Sequence, residues 1–188
     1  MKYTVYSDFT SAECYGLNEQ LVALGVSGSV IWCGVQHEPG RPVPTVPLDR
    51  RAMNRIEDEI AEVRRRLDGV AMNLPHAKPN TAKAIVAVAS VIRQHPAAAA
   101  AFRDALYRAY WIEGADLFVT AELQRIADLA AVPRSVDLNH PDADEMVENW
   151  DLDWSTERLG GVPRVIRGDG RILWGLKPMD EAAAFFGA

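Results

Sequence analysis

The chain has 188 residues, with 20 Lys plus Arg against 26 Asp plus Glu for a formal net charge of −6, and that length suits one domain with room for a large insertion. Hydrophobic residues make up 48% and charged residues 24%, which matches a globular protein with a substantial core and excludes a disordered or collagen-like chain. The acidic balance argues against nucleic acid, since the one dense basic run, Arg64 to Arg66, is set among acids on a helix and reads as a solvated face.

Residues 2 to 7 are rich in β-formers, and residues 28 to 35 form a second, nearly continuous apolar run of strand length. Between them Tyr15, Leu17, Leu21, Val22 and Leu24 give a helix its apolar face, and Gly25 is placed to end it. The opening is therefore β-α-β, a parallel pair with a crossover. Four prolines from Pro39 to Pro47 break the pattern, and the next hundred residues turn helical. Met53, Ile56, Ile60, Val63 and Leu67 recur at three- and four-residue steps, which predicts an amphipathic helix from Leu48 to Leu67. Further helices are expected from Asn80 or Thr81 to Gln94, Pro96 to Trp111, Leu117 to Leu129 and Asp142 to Trp150. The end returns to β structure. Pro163 to Ile166 and Arg171 to Trp174 flank Gly168-Asp169-Gly170, a hairpin signal, and Pro178 opens a closing helix.

Two cysteines, Cys14 and Cys33, are too few for a disulfide scaffold. The N-terminus alternates like a strand and shows no apolar signal region, so a cytoplasmic location is expected. The longest strongly apolar stretch, Ala84 to Ile92, falls well short of a membrane span. His37, His76, His95 and His140 lie far apart without partners at ligand spacing, so no metal site is expected and they read as surface or capping histidines.

The order β-α-β, helical insertion, β-β-α is the thioredoxin order interrupted by helices. Ser7-Asp8-Phe9-Thr10-Ser11-Ala12-Glu13-Cys14-Tyr15-Gly16 resembles the strand-to-helix junction of DsbA-like proteins, where Asp-Phe precedes a C-x-x-C motif. Pro79-Asn80-Thr81, the segment Tyr107 to Asp116, Gly161-Val162-Pro163 and Ile172 to Gly175 are similar to elements of 2-hydroxychromene-2-carboxylate isomerases and kappa-class glutathione transferases. The expected class is thus α/β, a thioredoxin-like fold with a large all-helical insertion. Residues 1–46 and 156–188 would form the thioredoxin-like domain and residues 47–155 the insertion.

The resemblance implies a function as well as a fold. Where redox relatives have C-x-x-C, this chain reads Ser11-Ala12-Glu13-Cys14, and a hydroxyl at the attacking position argues against dithiol exchange. The isomerase and transferase branch also has Ser there. In that branch the reactive sulfur belongs to bound glutathione, the Ser hydroxyl donates to its thiolate, and the helix start favours the charge. Ser11 is the candidate for this role, although Ser is equally a helix cap. Cys14 reads either as a reactive thiol in the first helical turn or as a small buried hydrophobe, with burial the preferred reading. A Cys14 to Cys33 disulfide stays open on spacing alone.

The resemblance further implies a cis bond between Val162 and Pro163, with the Val162 backbone facing the cleft to pair with glutathione. Asn80 either donates to substrate or caps its helix. Two positions depart from the relatives: Glu13 puts a carboxylate beside the expected thiolate, and Lys177 stands where they carry an Asp associated with the glutathione amino group. Trp150, Trp154, Trp174, Tyr110 and Trp111 are candidates to line an aromatic pocket, with core packing the more general expectation. The expected activity is a glutathione-dependent isomerase or transferase acting on a small unsaturated aromatic or carbonyl compound, with a homodimer left open. The alternatives are a thiol oxidoreductase or peroxidase using Cys14, and a thioredoxin-fold binding protein without catalysis.

Overall fold

Strand β1 (Tyr3–Ser7) pairs on both sides and anchors the sheet of the computed structural model, which describes residues 2–156 and 160–187. Its first partner is β2 (Ile31–Gly34), in parallel with Ser7 opposite Gly34; its second is β3 (Arg164–Arg167), antiparallel with Val5 opposite Val165. β4 (Ile172–Trp174) completes the order β2-β1-β3-β4. Helix α1 (Ala12–Ala23) joins the parallel pair, as a parallel crossover requires. The arrangement is the thioredoxin-like α/β class read from the sequence, with helices α2 (Arg50–Arg66), α3 (Ala82–Gln94), α4 (Pro96–Arg108), α5 (Thr120–Leu129) and α6 (Pro141–Thr156) inserted between β2 and β3. Helix α7 (Met179–Phe186) closes it.

The boundaries differ from expectation where side chains recruit the backbone. The second strand starts late because Ser27–Ser29 forms a 3₁₀ turn, whose Ser27 hydroxyl donates to Asp104 while Arg103 donates back to Ser27. The helix expected to reach Trp111 widens after Arg108 into a π turn, Ala109–Glu113, ended by Gly114 in the left-handed region at φ 73°. That widening carries Trp111 into the core, where its indole N–H donates to Phe9 O at 2.9 Å. The bond fixes the β1–α1 loop from the insertion side. α6 runs to Thr156, six residues past the expected Trp150.

Apolar packing follows the periodicity. Ala52, Ile56, Ile60 and Val63 bury one stripe of α2, while α3 lies between α4 and α6 with Ile85, Val88 and Val91 all at 1% exposure or less. Phe9, Phe102, Tyr107 and Trp111 are at 0%; each buried side chain of this kind contributes about 1.5–3 kcal/mol. The core therefore grips the loop that carries Ser11. Among the described residues no helix is long and apolar enough to cross a membrane.

Candidate active site

The C-terminal ends of the parallel strands β1 and β2 lie side by side, and the segments that leave them form the site. Ser11 ends the β1–α1 loop with an extended backbone (φ −88°, ψ 124°), and its hydroxyl oxygen accepts the Cys14 N–H at 3.4 Å. It is thus the N-cap of α1, and its own hydroxyl hydrogen can still donate. The amides of Ala12 and Glu13 follow as the first free N–H groups of the helix, where the macrodipole favours an anion.

Asp8 organises this loop and is itself 1% exposed. Its backbone carbonyl accepts the Ser11 N–H at 3.2 Å, and its Oδ1 accepts the Thr10 N–H at 3.3 Å. Its Oδ2 accepts from His37 twice, at 2.9 Å from the backbone N–H and 2.7 Å from ring Nδ1. His37, expected to be a surface or capping histidine without a carboxylate partner, is instead bonded to a buried carboxylate. Residue 37 leaves β2 three positions after Gly34, which pairs with Ser7, so the buried carboxylate after one strand captures the imidazole after the other. Parallel register was the signal that could have found the pair.

Ser11, Ala12, Glu13, His37, Glu59, Glu62, Gly161 and Val162 line one cleft of about 330 Å³. The Val162-Pro163 bond is cis, as the resemblance implies, and Pro163 O accepts the Gly175 N–H at 3.1 Å. Gly161 precedes it at φ 88°, a conformation that glycine adopts without steric cost. Ser11 and Val162 thus form two walls of the same space, with His37 and α2 supplying the others.

Glu13 turns aside from the helix start. Arg66 Nη1 lies 3.2 Å from its Oε1, and the Leu176 N–H donates to its Oε2 at 3.3 Å. Arg66 also donates to Leu176 O at 2.8 Å and pairs with Glu62 at 2.8 Å. The run Arg64 to Arg66 is therefore a solvated face only in part: Arg65 side chain is 70% exposed, while Arg66 braces the cleft rim.

Cys14 is 1% exposed, and its sulfur accepts the Asp8 N–H at 3.4 Å. Burial pushes its thiol up to about 12, outweighing the hydroxyls of Ser11 and Ser7 and the Asp8 amide. Burial likewise raises Cys33 to about 12, and both cysteines are free. Asn80 does not line the cleft. Its Oδ1 accepts from Gln36 at 2.8 Å and from the Ala82 N–H at 3.0 Å, and its amide donates toward Pro39 and Arg41 carbonyls, so it caps α3 and holds the 36–41 segment. Lys177 is half-buried, and its carbonyl accepts from Gln20 at 2.6 Å.

The aromatic candidates lie elsewhere. Tyr110, Trp111 and Trp150 are buried in the core, Trp154 packs on Tyr6, and Trp174 sets one ring face against the Arg164 guanidinium while staying 51% exposed. A second cavity of about 330 Å³ lies beneath β2, between Trp32, Val88, Ile92, Met146 and Trp150. Its one charged group, Arg103, is bound to Asn18, Ser27 and Asp104, so reactive chemistry favours the cleft at Ser11. No group of three or more His, Cys, Asp or Glu side chains among the described residues could hold a metal ion.

Comparison with known proteins gives the same fold. The DSBA-like thioredoxin domain family matches residues 4–187. A putative protein disulfide isomerase from Nitrosomonas europaea is similar in structure, with TM-score 0.74 and 16% identity over 100% of this chain and 97% of that one. A 2-hydroxychromene-2-carboxylate isomerase gives 0.73 and 19% over 100% and 93%. The cytosolic disulfide reductase DsbM from Pseudomonas aeruginosa, solved with GSH, gives 0.72 and 14% over 100% and 98%. No curated protein sequence matches the chain.

Proposed function

Because the chain belongs to the DSBA-like thioredoxin domain family, we propose that it is a glutathione-dependent isomerase or transferase acting on an unsaturated aromatic or carbonyl compound. One observation carries the reading. The cleft where the fold presents its chemistry contains a hydroxyl, Ser11, while the neighbouring sulfur of Cys14 is buried with a thiol raised to about 12. A nucleophilic sulfur must then arrive with a ligand.

Each wall of the cleft has a task in this reading. Ser11 donates to the ligand thiolate, and the amides at the start of α1 add positive potential. The backbone of Val162 pairs with the extended peptide of glutathione. Glu13 repels the thiolate less than its position suggests, since Arg66 lies against it. Glu59, on the α2 wall, meets the glutathione ammonium in place of the Asp that Lys177 replaces. The same facts weigh against an oxidoreductase using Cys14, which would need an exposed, ionisable thiol.

A reducing compartment such as the cytoplasm, rich in glutathione, suits two free cysteines. Isothermal titration with reduced glutathione tests the reading. Saturable binding that weakens in a Ser11→Ala variant is expected. Absence of any binding heat at millimolar glutathione, with the protein folded, would leave the fold without this activity.

A further inference from the structure

The cleft holds a single imidazole, and the fold determines which of its nitrogens can act there. Asp8 Oδ2 accepts from both the backbone N–H and ring Nδ1 of His37. A carboxylate oxygen accepts, so its partner Nδ1 carries the hydrogen, and Nε2 is the acceptor of the neutral ring. His37 lines the cleft, and with Nδ1 held by the buried Asp8 carboxylate, Nε2 is the ring nitrogen left to exchange a proton. We infer that His37 is the acid-base residue of the site: its Nε2 takes the proton of the small-molecule thiol held at Ser11, leaving a thiolate opposite an imidazolium clamped by Asp8. This assignment rests on the glutathione reading above.

The surrounding charges suit that role. Glu38 Oε1 lies 3.3 Å from Nε2 without hydrogen-bond alignment, and it also pairs with Lys78 and Arg41. Burial opposes ionisation of Glu38, but Lys78 and Arg41 hold its carboxyl below the usual value, so it stays an anion and does not compete for the thiol proton. Across the cleft stand Glu13, Glu59 and Glu62, the first and last of them paired with Arg66. Asp8 contacts the ring from the β1 side.

The chemistry balances without a redox partner. The S–H bond breaks and an Nε2–H bond forms, with the electron pair left on sulfur. The thiolate adds to the β carbon of an α,β-unsaturated carbonyl; the C=C pair becomes the double bond between the α carbon and the carbonyl carbon, and the C=O pair moves onto oxygen, giving an enolate. Rotation about the new single bond and collapse of the enolate expel the thiolate in the isomerised product, after which Nε2 returns its proton to sulfur.

The test uses the full chain labelled with ¹⁵N-histidine and follows Nε2 of His37 at neutral pH. Reduced glutathione should protonate Nε2 as thiolate absorbance appears, whereas S-methylglutathione, which has no thiol proton, should bind and leave Nε2 as an acceptor. His37→Asn keeps a donor toward Asp8. It should bind S-methylglutathione within about two-fold of the parent, while the thiol of bound reduced glutathione titrates roughly one to three pH units higher. An unchanged thiol titration in that variant, or no change at Nε2 when glutathione binds the parent, overturns the role of His37. No saturable binding of either compound to the parent overturns the glutathione reading itself and the base role with it.

Discussion

Arg66 Nη1 sits 3.2 Å from Glu13 Oε1 and donates to Leu176 O at 2.8 Å, so one guanidinium from the last turn of α2 ties the first turn of α1 to the segment after β4. Both side chains are about one-third exposed, and an ion pair of that kind contributes under about 1 kcal/mol to stability. Its larger effect is on charge in the cleft. Arg66→Gln should raise the pKa of glutathione's thiol in the complex, because Glu13 would face the thiolate uncompensated, and Glu13→Gln should lower it. Ultraviolet titration of the bound thiolate checks both signs.

Ser11→Ala removes the acceptor for the Cys14 N–H and the donor to a bound thiolate. The cap loss should cost about 0.5–2 kcal/mol in chemical denaturation, and the bound thiol should titrate at higher pH because the hydroxyl favours its charged form. A variant that loses stability with no change in the thiol titration would mean that Ser11 serves the helix alone.

Cys14 should alkylate very slowly with iodoacetamide at neutral pH in the folded chain and rapidly in denaturant. Its thiol is raised from 9.0 to about 12 by burial, and Cys33 behaves likewise. Since the folded pKa lies above the unfolded one, the neutral thiols stabilise the fold fully below about pH 9, and that contribution is lost as pH rises toward 12. Urea midpoints should accordingly fall between pH 8.5 and roughly 11, and Cys14→Ala should flatten part of that slope.

A side chain at Gly175 should be destabilising. Its φ is 64°, and a Cβ there would lie 2.9 Å from Glu13 Oε2, so Gly175→Ala combines left-handed strain of about 1–3 kcal/mol with loss of the Glu13 anchor. Each kcal/mol lowers the melting temperature of a domain this size by roughly 2–4 °C. Gly28→Ala, where nothing lies within 4 Å and φ is not positive, is the matched control and should leave the melting temperature nearly unchanged.

Much of the fold was legible because it is written in short-range patterns: alternation in β1, the stripe Ile56, Ile60 and Val63, and Asp169-Gly170 between two strands. Ser11 was legible because a cap signal and a motif position coincide. Arg66 looked like a solvated cation because its partners, Glu13 and Leu176, are 53 and 110 residues away. His37 looked isolated for the same reason: its carboxylate is 29 positions back in the chain, and only strand register brings the two together. The π turn at Ala109 to Glu113 carried no periodic signal, and the bond from the Trp111 indole to Phe9 O spans 102 residues.

The central claim is that the cleft between Ser11 and Val162 receives a small-molecule thiol, and amide chemical-shift mapping with reduced glutathione tests it most directly. Saturable shifts should concentrate at Ser11, Ala12, Glu13, His37, Gly161 and Val162, the residues that line the cleft. Shifts confined to Trp32, Val88, Ile92 and Met146 around the cavity beneath β2, or no saturable shifts at all, would contradict it.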